Sequence, residues 1–443
     1  MPALRSVSTR RSILAVLICW LLVVSDGYDL IVYGMVQTSL IEDTGWGLTD
    51  ATAGTLGSLA FFGMMIGAYL GGRIGDRFGR RRTIIACTVA FTLLNALCGL
   101  AADVWIFAVL RFLAGLGLGG LLPSLNALTG DLVTARWRPA MATFMMSGVP
   151  IGGTIAALMG TVVVPELGWR WMFILTLVSL VIVPMALKCL PETTGRRASS
   201  PDSVEQHEAA GAPLSIFDER RRSLSVLFAA ATLAILFTWY GLGTWLPRMM
   251  ELQGHDLGSA LKFTVALNLG AVAGSAVTAW AGGRFGPLVS AAGAVLFAGV
   301  GMVIMIGGTT PTPLVYLLLL FAGVGTHGAQ CLVIGAINNS YPQPIRGTAL
   351  GWSLGVGRVG AVLAPQVGGL LVGTALGVAA VYLAFAATAF IAVAILLLLV
   401  SISRRVTQTP DQLQHTDSNI LDPWPADPSP LDRPMESVPS TRR

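Results

Sequence analysis

The sequence predicts an all-α membrane protein with twelve transmembrane helices, and three observations support this. Hydrophobic residues make up 54% of the chain and charged residues only 12%, whereas soluble proteins carry roughly 25% charged residues. Apolar runs of about 20 residues recur, and each is long enough to span a bilayer core of roughly 30 Å. The runs lack the alternation of barrel strands, and a helix satisfies its backbone polar groups within one segment.

The apolar runs give the order of the spans. The first run follows Arg5, Arg10 and Arg11 and is too long for the apolar core of a signal peptide, so we expect a retained helix. The predicted spans cover residues 13–36, 53–75, 83–102, 104–127, 140–163, 170–190, 223–247, 258–282, 287–308, 313–338, 347–371 and 377–402.

Basic residues predict the orientation in the membrane. With the N-terminus inside, most of the 28 Lys and Arg fall in the inner segments, and the outer loops hold only Arg170, Arg248 and Lys262. An excess of basic residues marks the cytoplasmic side of membrane proteins. We therefore expect a multi-pass protein of the bacterial inner membrane with both termini cytoplasmic. This distribution also explains the net charge of +5, so nucleic acid is not an expected partner.

Two polar segments predict the domain organisation. Residues 191–222 are rich in Pro, Ser, Glu and Arg and indicate a cytoplasmic linker. Residues 403–443 are rich in proline and cannot bury a core, so we expect a disordered cytoplasmic tail. The remaining segments are an N-terminal six-helix bundle over residues 1–190 and a C-terminal six-helix bundle over residues 223–402.

Short matches between the two bundles indicate an internal duplication. The dipeptide beginning at Ala114 in span 4 recurs at Ala322 in span 10, and the dipeptide beginning at Gly148 in span 5 recurs at Gly355 in span 11. The offset between the copies is nearly constant. Parallel repeats of this kind hold the substrate site between the two halves, near the bilayer midplane.

A motif rich in glycine and arginine separates spans 2 and 3. It reads Gly71-Gly72-Arg73-Ile74-Gly75-Asp76-Arg77-Phe78-Gly79-Arg80-Arg81-Arg82. Glycine permits a tight turn, and a carboxylate here can pair with arginine or with a helix N-terminus. Residues 72–81 resemble the G-x-x-x-D-R-x-G-R-R signature of the major facilitator superfamily. The resemblance implies twelve helices in two pseudo-symmetric six-helix bundles, with a gating role for Asp76.

Four charged residues are candidates for the membrane interior because they lie well away from the ends of the predicted spans, namely Asp26, Asp29, Arg111 and Arg358. Each charge at the centre of a span costs ~2.5–3.5 kcal/mol, so pairing, a wet cavity or neutralisation must offset it. Asp26 and Asp29 share one face of the first helix because they are three residues apart. Two acids so close are not expected to ionise together easily.

Depth predicts a partner for one of these acids. Asp29 and Arg111 both lie about 10 Å below the outer surface, so an ion pair between spans 1 and 4 is feasible. The pair either only holds the helices together or takes part in proton exchange. Arg358 has no acid in its own span, so it either captures a substrate carboxylate in a bidentate contact or pairs with a distant group.

The residues around these charges narrow the resemblance. Asp26-Gly27-Tyr28-Asp29, the run from Arg111 to Gly120, and Gly357-Arg358-Val359-Gly360 are similar to the aromatic acid/proton symporter branch, whose members take up benzoates and hydroxybenzoates. The resemblance implies proton coupling by both acids and substrate binding by both arginines. The further positions that it implies for gating are Asp76, Arg77, Arg80, Asp131 and Arg346.

Three more residues are candidates for the substrate site. His327 in span 10 is either a packed polar group or a substrate or proton ligand, as the resemblance implies. Tyr33 and Trp239 either stack on an aromatic ring of the substrate or only pack in the core.

These observations predict a secondary transporter that imports an aromatic carboxylate of the benzoate or hydroxybenzoate class by proton symport. The expected partners are a small organic acid, protons and the lipid bilayer, and the protein is expected to act as a monomer. Two alternatives remain, a proton-coupled drug antiporter and a substrate sensor with a transporter fold. No nucleophile–base pair, metal-ligand cluster or phosphate loop predicts an enzyme, and no cofactor or metal is expected.

Overall fold

The computed structural model describes residues 9–133, 138–192, 215–308 and 310–407. Twelve helices within these residues are long and apolar enough to cross a membrane. They are α1 (Thr9–Glu42), α2 (Asp50–Phe78), α3 (Arg80–Cys98), α4 (Val104–Leu132), α5 (Arg138–Leu167), α6 (Trp169–Cys189), α7 (Glu219–Leu252), α8 (Leu257–Phe285), α9 (Pro287–Met305), α10 (Thr312–Ser340), α11 (Gln343–Val372) and α12 (Val378–Thr407).

The described residues up to Val400 form one compact unit. Of the second unit, Ser401–Arg443, the structure describes only residues 401–407. Most of the predicted linker and tail lies outside the described residues, so the domain boundaries stay predictions. Below, α1–α6 are called the first half and α7–α12 the second half.

Polar residues at the helix ends satisfy backbone groups that have no partner inside the helix. Asp103 precedes α4 and its carboxylate accepts hydrogen bonds from the backbone N–H groups of Trp105 and Ile106, at 2.8 and 2.9 Å. Thr49 and Thr52 form a reciprocal capping box at the start of α2. These caps start helices immediately after very short loops, so consecutive spans are antiparallel neighbours.

Two glycines make the turns at equivalent places in the two halves. Gly79 joins α2 to α3 with φ of 97°, and Gly286 joins α8 to α9 with φ of 88°, a region of backbone conformation that favours glycine. The sequence motif therefore does not form an extended loop, because the helix continues through Phe78 and only Gly79 turns.

Several helices are longer than the apolar runs that predicted them. The first span was predicted over residues 13–36 but the helix continues to Glu42, and α7 continues past the predicted 247 to Leu252. The helix continues past the end of the apolar run and includes the charged residues that follow it. Arg248 consequently lies inside α7 and is largely buried, whereas the sequence predicted it in an outer loop.

The helices pack in the same pattern in both halves. In the first half α1 packs against α5 and α2 against α4, and in the second half α7 packs against α11 and α8 against α10. A Cβ atom on Gly115 of α4 would lie 2.1 Å from the Ala60 carbonyl oxygen, and one on Gly323 of α10 would lie 2.1 Å from the Leu267 carbonyl oxygen. The repeated dipeptide that begins at Ala114 and Ala322 thus includes the glycines that let these helix backbones touch.

The two halves meet along α2 with α11 and α5 with α8. We call the membrane side that holds the Gly79 turn the Gly79 face and the side that holds the loop between α1 and α2 the Trp46 face. Near the Trp46 face, Cβ atoms on Gly54 of α2 and Gly369 of α11 would each lie 2.4 Å from a carbonyl oxygen of the other helix. The halves are therefore in direct backbone contact there.

The same side of α11 faces open space farther along the helix. A Cβ atom on Gly351 or Gly355 would meet no described atom within 4 Å. Both glycines share a helix face with Arg358, because three to four residues make one helical turn. The gap between α2 and α11 consequently opens toward the Gly79 face. It closes between Arg358, which is half-buried, and the Trp46 face.

Candidate functional site

Asp26 lies at the middle of α1 and is fully buried, with 0% of its surface exposed. Neither carboxylate oxygen has a hydrogen-bond partner among the described residues. The charged groups within electrostatic range are Arg358 of α11 and Asp29 of its own helix. An ionised carboxylate without donors is costly in an apolar interior, so Asp26 is stable only with Arg358 nearby or with a proton bound.

Asp29 has a different set of partners, although it lies only one turn away on α1. Its Oδ1 is 3.7 Å from Nη1 of Arg111 in α4, and the same guanidinium donates to Oδ1 of Asn95 in α3 at 3.3 Å. Asp29 and Arg111 are 1% and 2% exposed. This pair joins three helices of the first half, whereas Asp26 faces the second half. The sequence did not identify Asn95, because a single amide in an apolar run gives little signal.

Tyr33 packs against the guanidinium of Arg111. Its hydroxyl donates to the Ala53 carbonyl oxygen at 2.5 Å, and its ring centroid lies 5.3 Å from the Arg111 guanidinium carbon. A guanidinium over a phenol face is held by cation–π attraction. Tyr33 therefore helps to orient Arg111, and its hydroxyl is already occupied.

An aromatic pair spans the two halves next to Asp26 and Arg358. The rings of Phe61 in α2 and Tyr240 in α7 have centroids 4.7 Å apart, and the half-buried Tyr240 lies within electrostatic range of both Arg358 and Asp26. Together these side chains combine an acid, a guanidinium and two aromatic faces near the middle of α1. Such a set can hold a flat organic anion.

Trp239, the neighbour of Tyr240 in sequence, faces α10. Its ring centroid lies 5.3 Å from that of His327, and His327 also hydrogen-bonds with the backbone of Met146 in α5. The helix around His327 is not regular, because Val324–Gly328 form a π-helical turn. Single π turns inside α-helices often occur at functional sites. Neither the turn nor its position was predicted from the sequence.

The Trp46 face is closed by charged groups that the sequence did not bring together. Arg248 of α7 donates to Glu42 Oε1 of α1 at 2.6 Å and to Asp50 Oδ1 of α2 at 3.2 Å. The Thr38 hydroxyl donates to the Glu251 carboxylate beside them. A cavity of about 340 Å³ is lined by Thr38, Glu42, Arg248, Glu251, Leu252, His255 and Leu257.

The predicted gating residues lie at the Gly79 face. Arg80 pairs with Asp131 at the end of α4 and donates to the Ala127 carbonyl oxygen at 3.0 Å. Arg77 is exposed, with its guanidinium carbon 5.4 Å from the Phe78 ring centroid. These contacts all stay within the first half.

The remaining two gating candidates differ in how far they are described. Arg346 Nε donates to the Tyr341 carbonyl oxygen at 3.3 Å at the start of α11. The backbone of Asp76 is part of α2, but its side chain lies outside the described residues. The roles assigned to all these positions, like those of the membrane-embedded residues, stay predictions.

Comparison with known proteins identifies the family. The sequence model of the Major Facilitator Superfamily matches residues 19–365 and, in a second alignment, residues 269–431. The chain belongs to the Major Facilitator Superfamily. This membership confirms the prediction of a transporter rather than an enzyme.

Two curated relatives agree with the predicted branch of the superfamily. The gentisate transporter of Corynebacterium glutamicum is 49% identical over 403 residues, which are 90% of this chain and 90% of the relative. The benzoate transport protein of Acinetobacter baylyi is 31% identical over 80% of this chain and 82% of the relative. The resemblance to the aromatic acid branch is therefore confirmed.

A solved structure supports the fold. The crystal structure of a D-xylose-proton symporter superposes with a TM-score of 0.73 at 18% identity, covering 88% of this chain and 97% of that chain. The predicted fold class, twelve membrane helices in the major facilitator arrangement, is confirmed. The protein is a multi-pass membrane protein.

Proposed function

We propose that this protein imports a dihydroxybenzoate of the gentisate type together with protons. The observation that carries the proposal is the 49% identity to the gentisate transporter over 90% of both chains. The sequence alone favoured the benzoate or hydroxybenzoate class, and the relative with the benzoate name is more distant, at 31% identity. The dihydroxylated acid therefore replaces benzoate as the proposed substrate.

Competition for Arg358 couples the proton to the substrate. While Asp26 is ionised, its charge attracts Arg358 and repels a second carboxylate that approaches the same site. A proton on Asp26 removes both effects, so Arg358 can form a bidentate pair with the substrate carboxylate. Because linkage is reciprocal, the bound substrate also favours the proton on Asp26. Phe61 and Tyr240 supply apolar surface for the ring.

Alternating access requires that the halves separate at one face while they close at the other. Arg358 and Asp26 lie where the gap between α2 and α11 ends, so a bound acid there contacts both halves. We propose that residues 1–190 and 223–402 move as two bodies, with the Gly79 face cytoplasmic and the protein monomeric. The Arg248 contacts would then close the periplasmic side, and Arg80, Asp131 and Arg346 would act at the cytoplasmic side.

Uptake of radiolabelled gentisate into proteoliposomes tests the proposal. We expect accumulation only with an inward proton gradient, and none after the gradient is collapsed by a protonophore. Accumulation that is indifferent to the gradient would exclude symport. Failure of gentisate, 3-hydroxybenzoate and benzoate alike to enter or bind would exclude the substrate class.

The two alternative functions make different predictions in the same vesicles. A drug antiporter moves cationic drugs against an opposing proton gradient and leaves aromatic acids untouched. A sensor binds the acid without net flux. Neither the gentisate transporter nor the benzoate transport protein is named as a drug antiporter or a sensor, so symport is the function that we propose.

A further inference from the structure

Gln330 of α10 is buried, with 4% of its surface exposed. Neither its amide oxygen nor its amide nitrogen has a hydrogen-bond partner among the described residues. His327, one turn earlier, is equally buried, and its Nε2 also has no described partner. Buried polar atoms are nearly always hydrogen-bonded in folded proteins. Three unpartnered atoms on adjacent turns of one helix therefore indicate a ligand group that occupies this place.

The neighbouring residues fix the direction in which this pair points. A Cβ atom on Gly328 would lie 2.8 Å from the Thr278 side chain of α8, and Cys331 interacts with Ser275 of the same helix. Gly328 and Cys331 therefore face α8. His327 and Gln330 each precede one of them by one residue, so they lie about 100° around the helix from that contact.

The surroundings of His327 locate this second face within the molecule. The Trp239 ring packs against the imidazole, with the centroids 5.3 Å apart, and Met146 of α5 contacts the imidazole from the first half. Trp239 is followed directly by Tyr240, which lies within electrostatic range of Arg358 and Asp26. Two consecutive residues of α7 thus lie between the region of Arg358 and the imidazole of His327, and Gln330, three residues after His327, shares its side of the helix.

We propose that Gln330, assisted by His327, binds a ring hydroxyl group of the aromatic acid and thereby selects hydroxylated benzoates over benzoate. The inference rests on the proposed function, because it requires an aromatic carboxylate at Arg358. A phenolic hydroxyl donates one hydrogen bond and accepts others, and the glutamine amide offers both an acceptor and a donor. Benzoate has only a ring C–H at this position and leaves the amide unpartnered.

The expected selectivity follows from the loss of one or two hydrogen bonds. One net hydrogen bond corresponds to about a tenfold change in affinity. The wild-type protein should therefore bind 2,5-dihydroxybenzoate or 3-hydroxybenzoate at least about tenfold more tightly than benzoate. Arg358 binds the carboxylate that all three acids share, and benzoate has no hydroxyl group for Gln330 to bind. The affinity for benzoate should therefore be independent of Gln330.

The test measures binding of the three acids to the full-length protein in lipid nanodiscs by isothermal titration calorimetry. The variants are Gln330→Met, which preserves the length of the side chain, and Gln330→Leu. Gln37→Leu is the matched control, because Gln37 of α1 is also fully buried with both amide atoms unpartnered. We expect both Gln330 variants to lose the preference for hydroxylated acids while benzoate affinity and the Gln37→Leu preference stay unchanged.

Three results would overturn the inference while leaving the proposed function intact. They are equal wild-type affinities for hydroxylated and unsubstituted acids, a Gln330 variant that keeps the full preference, and a Gln330 variant that weakens all three acids equally. The wild-type comparison decides even where a variant does not fold. Absence of binding and uptake of every acid would instead remove the proposed function, and the inference with it.

Discussion

Asp29 and Arg111 form a buried ion pair between α1 and α4, with Oδ1 and Nη1 3.7 Å apart. Both side chains are almost completely withdrawn from solvent, at 1% and 3% exposure. Asp26, one turn from Asp29, instead lies within electrostatic range of Arg358 across the interface between the halves. The two acids of the first helix therefore have different cations nearby, Arg111 inside the first half for Asp29 and Arg358 in the second half for Asp26.

Removing Arg111 should destabilise the first half. In Arg111→Gln the Asp29 carboxylate stays buried without its cation, and loss of one partner of a buried pair costs about 3–5 kcal/mol. The double variant Asp29→Asn/Arg111→Gln should recover much of that loss. Thermal unfolding of the purified protein in detergent measures the difference. Asp131→Asn, which breaks an exposed pair, should change stability by only ~0–1 kcal/mol.

Equal melting temperatures of Arg111→Gln and of the double variant would show that the buried charge of Asp29 does not determine the loss. In that case the packing of Arg111 against Tyr33 and Phe173 would be the dominant contribution. A double-mutant cycle separates the two because it isolates the pairwise interaction.

Asp26→Asn should uncouple substrate from protons. Asparagine resembles the protonated acid, so Arg358 stays free for the substrate whatever the proton gradient. We expect exchange of labelled for unlabelled substrate to continue, whereas gradient-driven accumulation is lost. Proteoliposomes measured in both modes give the two rates. Asp29→Asn is the matched comparison and should retain gradient dependence, because Asp29 pairs within the first half. Retained accumulation in Asp26→Asn would assign the proton elsewhere.

The positions of these charges could be predicted from the sequence for a physical reason. A charge inside an apolar span is costly, so the four residues were conspicuous, and the helical rise gave the matching depths of Asp29 and Arg111. The proximity of Asp26 to Arg358 could not be predicted. It depends on how the two halves meet, and no residue spacing within one helix encodes that contact.

Other parts of the site have no sequence pattern from which they could be predicted. Gln330 is a neutral amide in an apolar run, and the π turn of Val324–Gly328 has no residue pattern that distinguishes it from an ordinary helix. Arg248 was predicted in a loop because the apolar run ends before it. Its true position depends on tertiary contacts with Glu42 and Asp50, which make an arginine acceptable inside a helix that continues to Leu252.

Arg358→Lys should weaken substrate binding at least about tenfold. The charge is retained, but one ammonium group replaces a fork that can form two parallel hydrogen bonds to a carboxylate. Arg358→Gln should lose more affinity and should no longer distinguish an aromatic acid from its amide. Calorimetric titration with gentisate and its carboxamide measures both effects. Arg284→Gln, at an exposed arginine near the Gly79 face, should bind as the wild type does.

Arg248→Gln should favour opening of the Trp46 face. The variant leaves Glu42 and Asp50 without the cation that holds both of them to α7, and two unpaired acids repel each other. Loss of this link should change the free-energy difference between the closed and open states by about 1–2 kcal/mol. The ratio of open to closed molecules would then rise by a factor of roughly 5–30. The measurement is the rate at which a membrane-impermeant thiol reagent modifies Gln37→Cys, a buried position, after the five native cysteines are replaced.

Arg170→Gln is the control for this experiment. Arg170 lies at the same face, but among the described residues its guanidinium donates to an acceptor in the first half, the Ala101 carbonyl oxygen at 3.4 Å. Its replacement should leave the labelling rate of Gln37→Cys unchanged, because no contact between the halves is lost. Equal labelling rates in Arg248→Gln and the wild type would mean that the backbone contacts of Gly54 and Gly369 hold the Trp46 face closed without the ion pairs.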